Sequence, residues 1–376
     1  MIFRSKCHGR EPVGIYFLGE LCAKTIKMNE KHTSAGTLFP YPTGKLPVKE
    51  LDRLLTRYAR EDKRVVVRPG IGRDATVISF SDRYLVAKTD AITFATDQIG
   101  WYVVHINAND VAVMGGIPRW FLATLLLPEG KTGPKEVEAI FAQISAACKE
   151  LGVVLCGGHT EVTHGLDRPI AVGQMLGEVE KAKLVVPDKA HPGDDILLTK
   201  GIAIEGTALI ARERGELREH LGEEWMGRSR SLLRAPGISV VREATIANEV
   251  AEVHAMHDPT EGGLATGLHE LASAAGVGMV VEMEKISILP ETALLCRELK
   301  LDPLGLMASG ALLIVAPEGS STKIIAGLKT EGIPASIIGK IWESEKGVKL
   351  IQQGKVEDLP FFDRDEVARL FAGGNL

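Results

Sequence analysis

NANDVAVMGGIPRW, residues 107–120, joins the end of one expected element to the start of the next. Upstream of it, Ile99, Val103, Ile106, Asp110 and Val113 recur at spacings of three and four, which predicts an amphipathic helix over about 97–114. Asp110 interrupts that apolar stripe. A carboxylate carried toward a core is costly unless it meets a partner or a cation, so this one requires an explanation. Gly115-Gly116 stops the helix, and the apolar run that follows, 120–127, reads as a buried strand.

Working outward, 75–80 and 84–89 are β runs separated by Ser81-Asp82-Arg83, the pattern of a hairpin. Beyond the central strand lies the clearest helix. Pro134 stands near its start, Val137, Ile140, Phe141, Ile144, Cys148 and Leu151 form its stripe, and Gly152 ends it. Cys148 is expected in the core. Short strands follow at 153–156 and 170–179. The pattern resets near Pro187, where DKAHPGDD is turn-rich and charged, and this predicts a domain boundary. Helices about 238–253, 262–275 and 291–300 then mix with strands 277–282, 311–316 and 335–341. The expected fold class is thus α/β (α+β) in two domains, 44–186 and 187–376. Residues 1–43 lack periodicity and are expected to be a flexible arm, with Met28 an alternative start that intact-mass measurement would test.

The chain has 376 residues, 45% of them apolar and 25% charged, enough for two cores. A net charge of -5 provides no electrostatic footprint for nucleic acid or an anionic membrane. No apolar run approaches the ~18 residues of a membrane-spanning helix. Five cysteines, Cys7, Cys22, Cys148, Cys156 and Cys296, form no CxxC pair, so reduced thiols in a cytoplasmic protein are expected.

Chemistry-bearing residues cluster at element ends. Asp74 precedes a strand, Asp90 closes one, Asp110 breaks the helical stripe, and Asp258 precedes the glycine pair that opens a helix. Oxygen-only carboxylates suit Mg²⁺ shared with phosphate, and glycine pairs or a helix N-terminus favour an anion. Each aspartate also reads as an ordinary cap or turn residue. No Walker A motif is present, and GIGRDA (70–75) leads into a strand, unlike a dinucleotide fingerprint. LCGGHTEVTHGL (155–166) crowds Cys156, His159, Glu161 and His164 together and invites a zinc assignment. Its ligands would lie on a strand end and a glycine turn, however, not on one helical face. Cys156 is expected to pack in a core and His164 to lie in a surface loop.

Taken in order, GIGRDATV, KTDAIT, NANDVAVMGGIPRW, GGHTEV, PGDDILLTK and DPTEGGLATGLHELA resemble the AIR synthase (PurM-like) superfamily, and within it the HypE-like proteins. The superfamily includes aminoimidazole ribonucleotide synthase, thiamine-monophosphate kinase and selenophosphate synthase. The resemblance spans residues 44–350. It implies a two-domain PurM-like architecture whose N-terminal sheets pair into a barrel at the core of a homodimer, with ATP and Mg²⁺ in a cleft beside it. By motif, Asp74, Asp110 and Asp258 would hold Mg²⁺. Asp90, Asn107, Gly157, Gly158, His159, Thr160 and Lys45 would lie along the nucleotide. Glu161 is a further candidate near the phosphates. The implied chemistry is ATP-dependent phosphorylation of an oxygen on a small amide, carbonyl or phosphate-bearing substrate, in hydrogenase maturation with a partner protein. A small-molecule kinase and a non-catalytic ATP-binding assembly partner are the alternatives. HypE-type proteins carry their substrate on a C-terminal cysteine, whereas this sequence reads AGGNL at its end and its last cysteine is Cys296.

Overall fold

The computed structural model describes residue 41 and residues 43–372, and the expected arm falls almost wholly outside them. α1 (Val48–Tyr58) leads to β1 (Val65–Val67), β2 (Thr76–Phe80) and β3 (Arg83–Ile92). β2 and β3 form the expected hairpin, with Phe80 opposite Arg83 and Ser81 in the left-handed region at φ 58°. α2 (Ile99–Val113), β4 (Ile117–Pro128), α3 (Pro134–Leu151), β5 (Val154–Thr163) and β6 (Ile170–Glu180) complete this half.

α2 differs from the amphipathic helix expected, because every residue from Ile99 to Val113 is buried. It packs on β3 and β6, against α3, and against α7 (Val241–Val250) of the second half, so no face is left for solvent. Each fully buried Val or Ile there contributes roughly 1.5–3 kcal/mol. Asn109 ties the halves together, donating to the Ile238 carbonyl at 2.9 Å and accepting from the Val240 amide at 2.9 Å.

The second half contains β7 (Asp195–Thr199), α4 (Ile204–Glu213), α5 (Arg218–Leu221), α6 (Glu223–Ser231), α7 (Val241–Val250), β8 (Ala255–His257) and α8 (Gly263–Ala275). It continues with β9 (Gly278–Glu282), α9 (Pro290–Leu299), β10 (Leu313–Ala316), α10 (Glu318–Thr330), β11 (Ala335–Trp342), β12 (Val348–Gln352), β13 (Lys355–Asp358) and α11 (Glu366–Ala372).

N-terminal sheets paired into a barrel at a dimer core were expected, and the sheets of this chain are not closed into a barrel. The strand order of the first half is β1-β2-β3-β6-β4-β5, an open sheet, and the second half forms another, β13-β12-β9-β11-β7-β10-β8. Closure requires the two outermost strands to pair with each other. Here β1 is only three residues long and pairs with β2, while β5 pairs with β4, so among the described residues the two outermost strands do not pair with each other. The expected two-domain α/β architecture stands without the barrel, one sheet to each half. No helix among the described residues is long and apolar enough to cross a membrane.

β5 departs from expectation in a second way. The predicted glycine turn is strand through Thr163, with a bulge where pairing to β4 skips from Leu155 to Gly157. Gly158 sits at φ 145°, and a Cβ there would lie 1.8 Å from the Ala123 carbonyl oxygen, so only glycine lets the two strands approach this closely. Cys156 is consequently exposed on the bulge, not packed in a core, whereas Cys148 is buried on α3 as expected.

Candidate active site

Asp74 from the loop before β2, Asp110 from the last turn of α2 and Asp258 from the residue after β8 each aim one oxygen to within 4.8 Å of the others. Asp110 and Asp258 are buried, at 4% and 1% exposure. Neither oxygen of Asp258 has a hydrogen-bond partner among the described residues. Burial, followed by the charges of Asp110 and Asp74, pushes the Asp258 carboxyl well above the usual range. Burial raises Asp110 as well, although Lys88 opposes it. Orphaned, mutually repelling carboxylate oxygens at one point are the donor set of a hard divalent cation, and these residues fit Mg²⁺.

Two cations already lean on the cluster. Lys88 and Asp90 stand two apart on β3 and so share a face. Lys88 Nζ lies 3.2 Å from Asp110 Oδ2 and 3.4 Å from Asp90 Oδ2. Burial works against its ammonium, but Asp110 and Asp90 outweigh that and keep it charged. His257, the last residue of β8, has Nδ1 2.9 Å from Asp74 Oδ1 and Nε2 3.3 Å from Glu270 Oε2. Burial again opposes the charge, and the Asp74 and Glu270 carboxylates hold the imidazolium well above the usual histidine range.

Beside the cluster opens a cleft of about 120 Å³ lined by Lys45, Asp90, Phe94, Glu205, Thr260, Glu261 and Ser309, among others. Lys45 Nζ donates to Thr260 Oγ1 at 3.2 Å. Desolvation pulls its pKa down, but Glu270, Glu261 and Asp90 together hold it above the ordinary value. Glu205, on α4, is a buried residue of the cleft lining, and that burial pushes its carboxyl up to about 8.

The residues singled out by sequence fall into two groups. Asp74, Asp110 and Asp258 converge, and Asp90 and Lys45 line the adjoining cleft. Asn107 lies beneath, fully buried, donating from Nδ2 to the Asp90 carbonyl at 3.3 Å and the Val103 carbonyl at 2.8 Å. Gly157, Gly158, His159 and Thr160 lie elsewhere, on exposed β5. Register runs from Asp90 to Gly173 to Ala123 to Gly158, three strand spacings or about 14 Å across the sheet. His159 Nε2 is 3.0 Å from Glu161 Oε2, and both side chains face outward. None of Cys156, His159, Glu161 and His164 belongs to a convergent metal-ligating group among the described residues.

The α8 N-terminus, expected to receive an anion, has one of its own. Asp365 accepts from the Gly262 amide at 2.6 Å and the Val367 amide at 2.7 Å. Sequence reasoning missed Lys88, His257 and Glu205. Period-two spacing from Asp90 could have flagged Lys88, and the adjacency of His257 to Asp258 could have flagged the histidine.

Comparison with known proteins accords with this geometry. Residues 72–179 match the AIR synthase related protein N-terminal domain, and 191–351 match the corresponding C-terminal domain. The carbamoyl dehydratase HypE of Azotobacter vinelandii is 30% identical over 274 residues, covering 72% of this chain and 76% of that protein. The HypE of Rhizobium leguminosarum bv. viciae is 29% identical over 283 residues, covering 72% and 77%. Among solved structures, a HypE–HypF complex aligns with a TM-score of 0.68 at 22% identity, covering 84% of this chain and 99% of the other. A hydrogenase maturation protein HypE in complex with ATP aligns at 0.65 and 23%, covering 87% and 98%, and both alignments speak to the fold. With two domain models matched in sequence order over most of its length, the chain belongs to the AIR synthase related family, among relatives that include the HypE-like hydrogenase maturation proteins.

Proposed function

We propose that this protein is an ATP- and Mg²⁺-dependent enzyme that phosphorylates an oxygen of a small amide, carbonyl or phosphate-bearing substrate. The observation that carries the reading is the convergence of Asp74, Asp110 and Asp258, with both Asp258 oxygens buried and unpartnered. Asp74, Asp110 and Asp258 would hold the cation, which when bound neutralises negative charge on the triphosphate. Lys88 and His257 keep the acidic cluster compact and orient Asp110 and Asp74. Lys45 and Thr260 offer a cation and a hydroxyl to phosphate oxygens at the cleft mouth. Glu205, carrying its proton at neutral pH, offers the substrate a hydrogen-bond donor from the cleft lining. Kinship with carbamoyl dehydratases supports an amide-type acceptor and a role in hydrogenase maturation alongside a partner protein.

A cytoplasmic homodimer accompanies this reading. Edge strand β5 exposes Leu155 and Val162 on one face and Val154 on the other, apolar surface that a second protomer would cover. Nucleotide held between protomers would also bring Gly157, Gly158, His159 and Thr160 to the phosphates.

A screen for ADP release tests the enzyme reading, with amides, thiamine monophosphate and purine-pathway phosphates as candidate acceptors. Acceptor-stimulated turnover that is lost in Asp258→Asn is the expected result. Tight Mg–ATP binding with no stimulation by any acceptor would favour a non-catalytic assembly partner.

A further inference from the structure

We propose that His191, Asp194 and His254 form a second metal site, separate from the carboxylate cluster and suited to a borderline divalent ion such as Zn²⁺. One ligand atom from each residue lies within 4.8 Å of the others. His191 Nδ1 is 3.3 Å from Asp194 Oδ1, and His254 Nδ1 is 2.7 Å from Asp194 Oδ2. Both imidazoles therefore aim the same ring nitrogen at one carboxylate, and their ring centroids are 4.7 Å apart. Donors bonded at ~2.05 Å to a tetrahedral ion stand roughly 3.3 Å apart, so the set closes on an ion with small side-chain rotations.

The donor chemistry separates this group from the first. Two imidazoles and one carboxylate favour zinc or a similar transition ion, whereas the all-oxygen cluster favours Mg²⁺. Glu252 lies behind His254, with Oε1 3.5 Å from Nε2. A carboxylate on the far nitrogen is the arrangement that fixes the tautomer and orientation of a metal-ligating histidine. Asp194 is 1% exposed and His254 is buried, while the His191 side chain is 62% exposed. The site thus has a rigid floor and an open side, leaving a fourth position to water.

Topology explains the meeting. β10 pairs antiparallel with both β7 and β8, so the starts of β7 and β8 lie at the same end of the sheet. Asp194 immediately precedes β7 and His254 immediately precedes β8. The Gly193 amide donates to the Ile341 carbonyl at 3.0 Å and the Ile341 amide to the Asp194 carbonyl at 2.8 Å, which pins the loop. An ion here would staple that loop to β8, the three-residue strand that delivers Asp258 from its other end.

The test uses full-length protein stripped with EDTA and returned to excess Mg²⁺, titrated with Zn²⁺ by calorimetry and with Co²⁺ by visible absorption. Wild type is expected to take up one Zn²⁺ per chain at this site and to give tetrahedral Co²⁺ bands. His191→Ala, at an exposed side chain, is expected to melt like metal-free wild type, to weaken Zn²⁺ binding by ~100-fold and to lose the bands. His254→Gln is expected to do the same to metal binding. Absence of Zn²⁺ uptake by wild type overturns the proposal, as does uptake with a Co²⁺ spectrum unchanged in both variants.

Discussion

His257 Nδ1 lies 2.9 Å from Asp74 Oδ1 while its other ring nitrogen faces Glu270 at 3.3 Å, placing one imidazolium between two largely buried carboxylates. Its charge is therefore part of what permits Asp74 to sit in the acidic cluster. Replacement by an apolar side chain leaves two carboxylates without their shared cation. His257→Leu should destabilise the metal-free protein by about 3 kcal/mol in urea unfolding at neutral pH. An unchanged unfolding midpoint would show that Asp74 does not depend on it.

Stability in EDTA should fall as pH rises through neutrality. Glu205 is pushed up to about 8 by burial, and Asp365 to about 7 by burial in excess of its amide hydrogen bonds. A carboxyl raised in the folded state contributes stability fully below its unfolded pKa and loses it as pH climbs through the folded one. His257, whose folded pKa is also raised, has the same sign. Glu205→Gln removes one of these groups, so its melting temperature should vary less between pH 6.5 and 9. At pH 9 the unfolding free energy of the variant should exceed that of wild type by a few kcal/mol, each pKa unit being worth about 1.4 kcal/mol. Parallel pH profiles for the two proteins would contradict the assignment.

Lys88 competes for Asp110 with any cation that enters, its ammonium being 3.2 Å from Oδ2. Lys88→Met should tighten Mg²⁺ binding without nucleotide by roughly tenfold, because an opposing charge at close range is removed. Direct Mg²⁺ titration reads this out, and weaker Mg²⁺ binding in the variant would reverse the role given to Lys88.

A Cβ on Gly173 would meet Asn107 Nδ2 at 2.3 Å and Phe121 Cε2 at 2.9 Å. Gly173→Ala should therefore displace Asn107 from the Asp90 carbonyl and destabilise the fold by about 1–3 kcal/mol. Denaturant melts check the stability, and nucleotide affinity checks whether Asp90 moved with it.

Much of this architecture could be read from residue order alone. The 76–92 hairpin and α3 declared themselves through alternation and through a helical stripe with proline and glycine punctuation. Asp110 was conspicuous for a sound reason, since an acid among apolar neighbours needs compensation, even though α2 proved buried on all sides. β8 escaped notice because three residues carry no period, and only pairing to β10 makes them a strand. Gly157-Gly158 imitated a turn because glycine permits positive φ in a bulged strand as readily as in a loop. Glu205 acts through a cleft lining assembled from distant parts of the chain, so no spacing rule could reach it, and for His257 only its place beside Asp258 gave a signal, its partner Asp74 being far away in sequence.

The central claim is that Asp74, Asp110 and Asp258 hold the cation that ATP binding requires. Calorimetric titration of ATP in the presence and absence of Mg²⁺, on wild type and on Asp110→Asn, tests it most directly. Wild type should bind ATP only with Mg²⁺. Asp110→Asn should lose that binding by ~100-fold or more while melting no lower than metal-free wild type, since a buried charge has been removed from a repelling cluster. Mg–ATP affinity in Asp110→Asn equal to that of wild type would contradict the account.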